Sequence, residues 1–128
     1  MSVTAIDLLN LARELHQGAS AEVAHRNVVG RAYYAAFHAA TAFHEALPSA
    51  GAAPQVASGV HSDLFYRLEH PTVDATDELY RRSRLIGLKL RGFHTIRIKA
   101  DYRLALEVGR DVAADALIKA AAIFALLT

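Results

Sequence analysis

Cysteine is absent from this chain of 128 residues. Its absence excludes disulfide bonds, zinc–cysteine sites, iron–sulfur ligation and catalysis by a thiol. Proline and glycine are also scarce, at three and seven residues, whereas alanine, the strongest helix former, occurs 26 times. This balance favours an all-helical fold, and the length fits a single domain over residues 1–128.

Long hydrophobic runs and targeting signals are missing as well. The apolar stretch at residues 120–127 is shorter than the roughly 18 residues that a membrane-spanning helix needs. Asp7, Arg13 and Glu14 interrupt the apolar positions near the start of the chain, so we predict no signal peptide. We therefore expect a cytoplasmic protein that does not bind a membrane.

The usual motifs of metal sites and metabolic enzymes are also missing. None of the seven histidines belongs to an HExxH or HxxxH pair. The sequence contains no glycine-rich phosphate loop, no GxSxG elbow and no convincing pair of carboxylates. We expect neither a metal site nor a cofactor.

Apolar periodicity predicts four or five helices joined by loops. The predicted helices cover residues 3–17, 20–47, 60–68, 75–99 and 111–126. Thr4 with Asp7 is the expected N-terminal capping pair of the first helix, and Ser20 and Asp74 are the expected caps of the second and fourth. Amphipathic helices joined in this way predict an antiparallel up-and-down bundle.

The second predicted helix is apolar over most of its circumference. Its main apolar face consists of Val29, Tyr33, Ala36, Ala40, Phe43 and Leu47. A further face alternates polar side chains with alanine, as in Arg31, Ala35 and His38. We expect this helix at the centre of the bundle, with its alanine-lined face against another helix or a second copy of the chain.

Positive charge is concentrated in one part of a nearly neutral chain. The formal net charge is +1, but residues 75–105 hold eight Lys/Arg against three Asp/Glu, a net charge of +5. Such a segment favours partners that carry phosphate or carboxylate groups, although a hydrated helix surface explains it equally well.

Two sets of residues have a spacing suited to chemistry. His94, Arg97 and Asp101 can share one helix face, where a guanidinium beside an imidazole and a carboxylate can bind phosphate and move a proton. The simpler alternative is an Arg97–Asp101 ion pair with His94 uninvolved. Arg31 and His38 are seven positions apart on the second helix, where packing or a dimer contact explains them as well.

Three segments resemble the HEPN family (higher eukaryotes and prokaryotes nucleotide-binding). Residues 31–40, RAYYAAFHAA, resemble its (S/R)AYYAxFHAA stretch, and residues 61–65, HSDLF, resemble its His…Phe segment. Residues 97–102, RIKADY, resemble its RxxADY stretch. The order and spacing agree with the family, and the resemblance covers nearly the whole chain. It implies a small antiparallel helical bundle that commonly dimerises.

The resemblance also implies a class of function. Active HEPN proteins are metal-independent ribonucleases, many of them toxins in toxin–antitoxin or other defence systems, and their R-x4-6-H motif is paired across a dimer. Other members bind nucleotides or accompany a minimal nucleotidyltransferase, which in some pairs adenylylates a tyrosine. Arg97 matches the motif's arginine, and Tyr102 stands where the motif has histidine. A phenol with a pKa of about 10 is a poor general base at neutral pH, which favours binding over cleavage.

The sequence thus predicts a HEPN-like protein that binds RNA or nucleotide phosphate in the cleft of a homodimer. The expected ligand-binding residues are Arg97, Lys99, Asp101, Arg31, His38 and Tyr34. The expected catalytic residues, if the protein is an enzyme, are His94, Arg97 and Tyr102. One alternative is a metal-independent ribonuclease toxin that uses His94 or His38 for proton transfer, with an antitoxin as its partner. Another is a non-catalytic partner of a nucleotidyltransferase, with Tyr102 as the acceptor.

Overall fold

Five α-helices make up most of the described part of the chain. The computed structural model describes residues 3–56 and 58–128. The helices are α1 (Ala5–Gly18), α2 (Glu22–Glu45), α3 (Val60–Glu69), α4 (Glu78–Tyr102) and α5 (Arg110–Phe124). The predicted all-α class is confirmed. Within the two described ranges, every helix is too short or too polar to cross a membrane.

Neighbouring long helices run in opposite directions. Arg26 near the start of α2 binds backbone at the end of α4, whereas Phe43 near the end of α2 lies under Arg82 near the start of α4. Arg82 also donates to the backbone just beyond α5. Arg110 at the start of α5 donates to Ala19, which follows α1. These contacts confirm the predicted antiparallel bundle.

The second helix is central, as predicted. α2 contacts each of the other four helices. Its predicted apolar face is buried from Val29 to Phe43. Ala35 on the alanine-lined face is buried too, whereas Arg31 and His38 on that face are exposed. Because alanine lets helices approach closely, the bundle can enclose α2 on several sides.

The capping predictions succeed at α1 and fail at α2. Thr4 and Asp7 form the expected capping box, in which each residue's side chain bonds the other residue's backbone amide. The residue that precedes α2 is Ala21, so the prediction of Ser20 as its cap is wrong. This helix start is held instead by the tertiary contacts of Arg26, which a capping rule cannot anticipate.

The start of α4 also differs from the prediction. Asp77 is its cap, with a side-chain oxygen that accepts from the amide of Leu79 at 2.9 Å. The predicted cap, Asp74, instead accepts from both the amide and the hydroxyl of Thr76. An aspartate that bonds backbone two residues ahead forms a local turn, so α4 begins three residues later than predicted.

Short contacts hold α3 against α4. The hydroxyl of Ser83 donates to the carbonyl of Leu68 at 2.8 Å, and Arg91 forms a 2.8 Å ion pair with Glu69. A Cβ on Gly87 would lie 2.9 Å from side-chain carbons of Leu68 and Glu69, so a larger residue there would push the helices apart. This antiparallel pairing brings the first turn of α3 alongside the second half of α4.

Candidate functional site

Arg97 lies between two aromatic rings and beside a carboxylate. Its Cζ is 5.7 Å from the ring centre of Tyr33 and 5.8 Å from that of Tyr102, distances at which cation–π attraction acts. Its Nε forms a 2.7 Å ion pair with Oδ2 of Asp101. The Arg97 side chain is 25% exposed, so a ligand can still reach it. The structure thus brings together Arg97, Asp101 and Tyr102, three of the predicted residues.

The ion pair does not occupy the whole guanidinium. The contact joins Nε to Asp101, whereas bidentate phosphate binding uses paired N–H donors of the planar guanidinium. Partly exposed pairs of this spacing stabilise a helix by only about 0.3–0.5 kcal/mol. An anion can therefore bind the Nη groups of Arg97, and even loss of the ion pair with Asp101 would cost the protein little stability.

The second group of contacts centres on His61, at the start of α3. Its Nδ1 lies 2.7 Å from the hydroxyl of Tyr33. Its ring is stacked on that of His94, with ring centres 5.2 Å apart and planes at 25°. His94 also contacts the rings of Tyr33 and Phe65. His94 is thus in contact with three aromatic groups beside the ion pair. We call Tyr33, His61, His94 and Arg97 the imidazole cluster.

The surroundings of the imidazole cluster disfavour a charge on either histidine. Burial, and then the positive charge of Arg97, lower the pKa of His61. Burial also lowers the pKa of His94, with further contributions from His61, Arg97 and Arg91. Burial raises the pKa of Tyr33, so its hydroxyl keeps its proton. In the free protein near neutral pH, we therefore expect two neutral imidazoles.

Tyr33 also selects the tautomer of His61. The Tyr33 side chain is only 1% exposed, and a buried hydroxyl proton needs an acceptor. We assign Nδ1 of His61 as that acceptor, which leaves the proton of the neutral ring on Nε2. His61 thereby presents an N–H donor at the nitrogen that does not face Tyr33.

The predicted residues of α2 lie on the outer side of this helix. Arg31, Tyr34 and Asp101 line an open groove of about 370 Å³ between α2 and α4. A Cβ on Gly30 would lie 3.1 Å from Oδ1 of Asp101, so glycine lets the two helices approach here. The ring of His38 packs edge-on against that of Tyr34, with the ring centres 4.2 Å apart. Asp101 also pairs with Arg97, so the groove that holds Arg31 and Tyr34 adjoins the Arg97 site.

Lys99 lies apart from the other predicted ligand-binding residues. It lines a depression of about 430 Å³ between α4 and α5, together with Ile96 and Leu106. Two positions along a helix correspond to a rotation of about 200°, so Lys99 and Arg97 point to different sides of α4. The structure does not bring Lys99 to the guanidinium of Arg97.

Sequence reasoning missed His61 and Tyr33 as site residues. Both lie in segments that carry the HEPN resemblance, residues 31–40 and 61–65, and this was the available signal. In the described part of the chain, no three His, Asp or Glu side chains are grouped so that they could hold a metal ion.

Comparison with known proteins adds no relative. The chain matches no family model, no curated protein and no solved structure. The HEPN resemblance therefore rests on its three sequence segments and stays a prediction.

Proposed function

We propose that this protein is a HEPN-like domain that binds the phosphate groups of RNA or of a nucleotide, with Arg97 as the principal contact. The observation that carries the proposal is the setting of this guanidinium. Tyr33 and Tyr102 flank Arg97, and Tyr102 is 66% exposed, so its ring offers a surface for a nucleobase next to a phosphate-binding cation.

The charge of α4 supports the same ligand class. Residues 75–105 carry a net charge of +5, and Arg97 belongs to this segment. A concentration of positive charge attracts the RNA backbone over several ångströms and makes its affinity fall as salt is added. Binding to a phosphodiester chain should therefore weaken steeply between low and physiological salt.

We further propose that a second copy of the chain covers the outer side of α2. Val23 near the start of α2 and Leu104 just after α4 are large apolar side chains that are exposed and line the same groove. A homodimer through this face would bring two Arg97 sites near each other. Light scattering at micromolar concentration should give a dimer, and Leu104→Glu should give a monomer. A monomeric wild-type chain would overturn this part of the proposal.

The binding proposal is tested with a short labelled oligouridylate and with uridine 5′-monophosphate, which separate RNA from free nucleotide. We expect Arg97→Ala to weaken binding by about tenfold or more, because hydrogen bonds to a charged group contribute about 1.5–3 kcal/mol each. Arg84→Ala is the matched control, since Arg84 is an exposed arginine on the same helix, away from the imidazole cluster. Equal effects of the two variants, or no binding of either probe, would contradict the proposal.

A metal-independent ribonuclease, acting as a toxin in a defence-type system, is the second candidate. The observation that favours it is the pair of imidazoles beside Arg97, because such pairs can supply a general acid and a general base. If it is correct, RNA is cleaved in the presence of a chelator, and both His94→Gln and Arg97→Ala abolish cleavage and any growth arrest. Intact RNA and normal growth would leave the binding function as the better proposal.

The exposed hydroxyl of Tyr102 supports a third arrangement, as the acceptor for a partner nucleotidyltransferase. Mass spectrometry after coexpression with a minimal nucleotidyltransferase would then find an added adenylyl group on the wild-type chain and none on Tyr102→Phe. An unmodified wild-type chain would count against it.

A further inference from the structure

The imidazole cluster holds three groups that can carry positive charge, His61, His94 and Arg97, in close proximity. The stacked rings are 5.2 Å apart, and burial, with a smaller contribution from Arg97, lowers the pKa of both. Arg91, which also acts on His94, and Arg97 itself are each joined in an ion pair, with Glu69 and Asp101 respectively. From α2, the cluster is faced by the neutral hydroxyl of Tyr33.

The start of α3 adds to the positive potential at His61. Gly59 precedes this ten-residue helix and has no side chain with which to cap it. The first amides of a helix lack intrahelical partners and form the positive end of its dipole. His61 is the second residue of α3, so it belongs to the helix turn whose free amides favour an anion.

The two imidazoles differ in how readily they can take up a proton. Protonation of His61 at Nδ1 would deprive the buried Tyr33 hydroxyl of its acceptor. Among the described residues, no hydrogen bond holds His94 in one tautomer; its ring contacts those of Tyr33, His61 and Phe65. His94 is therefore the ring that can gain a proton, while His61 remains a neutral donor through Nε2.

We propose that His61, His94 and Arg97 together bind one phosphate group of the ligand, and that His94 takes up a proton when this phosphate binds. The inference rests on the proposed function, and it deepens that function by naming the groups around the phosphate. Arg97 supplies the permanent charge and His61 a neutral N–H. The anion offsets the burial, and the repulsion by neighbouring positive groups, that otherwise disfavour a charged His94.

Uptake of one proton makes binding depend on pH. An RNA backbone keeps its charge between about pH 5.5 and pH 7.5, so the protein is the source of any change there. Where His94 is neutral in the free protein and protonated in the complex, affinity should rise by up to about tenfold for each unit of decrease in pH. We therefore expect oligouridylate to bind at least tenfold more tightly at about pH 5.5 than at about pH 7.5.

The test measures oligouridylate affinity at both pH values for matched variants. His94→Gln should remove the pH dependence, since glutamine does not titrate. His61→Asn keeps an acceptor for Tyr33 but lacks the Nε2 donor, so affinity should fall several-fold at both pH values with the pH dependence retained. His70→Gln is the control and should behave as wild type, because His70 is exposed and stacks on Tyr66.

Nuclear magnetic resonance of the wild-type histidine rings provides a measurement that does not depend on a variant folding. Adding oligouridylate should raise the pKa of His94 and leave that of His61 low. Full pH dependence in His94→Gln, or an unchanged His94 pKa in the complex, would overturn the inference while leaving Arg97-dependent binding intact. If wild type binds no oligouridylate at either pH, the proposed RNA binding fails, and the inference fails with it.

Discussion

Arg26 is a buried arginine that ties the start of α2 to the end of α4. Its side chain is 9% exposed, and its Nε forms a 2.8 Å ion pair with Glu22. Its Nη groups donate to the carbonyls of Lys99, Ala100, Arg103, Leu104 and Leu106. A helix end leaves carbonyls without intrahelical partners, and Arg26 satisfies them in place of water. We predict that Arg26→Met strongly destabilises the fold.

The magnitude follows from the geometry of these bonds. The contacts to Ala100 and Arg103, at 3.0 and 3.2 Å, are among the better formed, and each such bond to a charged donor contributes about 1.5–3 kcal/mol. Part of this is recovered, because residues 103–107 are exposed and water can bind their carbonyls once Arg26 is gone. We expect the free energy of unfolding to fall by about 2–4 kcal/mol, and the melting temperature by roughly 10 °C.

Urea unfolding followed by circular dichroism measures this loss, and two further variants separate its causes. Glu22→Gln removes the ion pair but keeps a side-chain acceptor, and Glu22 is 46% exposed, so the loss of stability should stay below about 1 kcal/mol. Arg26→Lys keeps the charge but cannot donate in several directions within one plane, so its loss should be intermediate. The reasoning is refuted if Arg26→Met costs less than about 1 kcal/mol or no more than Glu22→Gln.

Further predictions concern one histidine and two glycines. Burial, and then Arg67, lower the pKa of His44, whose Nε2 accepts from the amide of Gly51 at 2.9 Å. The unfolded chain binds this proton more readily, so the stability contributed by His44 is complete above about pH 6.5 and is lost as the pH falls through the lower folded pKa. His44→Gln, which keeps an acceptor, should flatten this decline in urea unfolding at several pH values, and an unchanged slope would contradict the assignment. A Cβ on Gly51 would lie 1.9 Å from the carbonyl oxygen of Arg67, so Gly51→Ala should destabilise by at least about 1–3 kcal/mol. A Cβ on Gly92 meets no atom within 4 Å, so Gly92→Ala in α4 should stabilise by about 0.5–1 kcal/mol. Thermal melts with the opposite ranking would show that these two environments are wrongly assigned.

The fold was predictable where one continuous stretch of sequence contains the necessary information. The capping box of Thr4 and Asp7 needs only a spacing of three residues, and it is confirmed. The predictions of Ser20 and Asp74 as helix caps are wrong, because contacts with other residues decide where these two helices begin. At α2 the tertiary contacts of Arg26 hold the helix start, and at Asp74 the nearby Thr76 favours a turn. Helix positions thus follow from local patterns, whereas helix ends depend on competing contacts.

The candidate site was predictable only along a single helix. Arg97 and Asp101 are four residues apart, and the expected contact between them is present at 2.7 Å. His61 is 33 positions before His94, and no periodicity relates residues of different helices, so their stacking follows from how α3 packs on α4. Lys99 was wrongly grouped with Arg97, since it is near Arg97 in sequence but faces another side of α4. Spacing along α4 therefore predicts the contacts of Arg97 within its own helix, but not those that depend on how the helices pack.

The contacts of Arg26 concern both the fold and the candidate site, because they lie at the C-terminal end of α4. The sequence pattern ended this helix near residue 99, but the helix continues to Tyr102, and Arg26 binds carbonyls on both sides of that end. The added residues include Asp101 and Tyr102, both in contact with Arg97. We therefore expect Arg26→Met to weaken oligouridylate binding, because it loosens the helix end that carries Asp101 and Tyr102. Arg97→Ala should weaken binding with little loss of stability. Measuring affinity and unfolding on both variants separates the two roles, and unchanged affinity in a folded Arg26→Met would show that the site does not depend on this helix end.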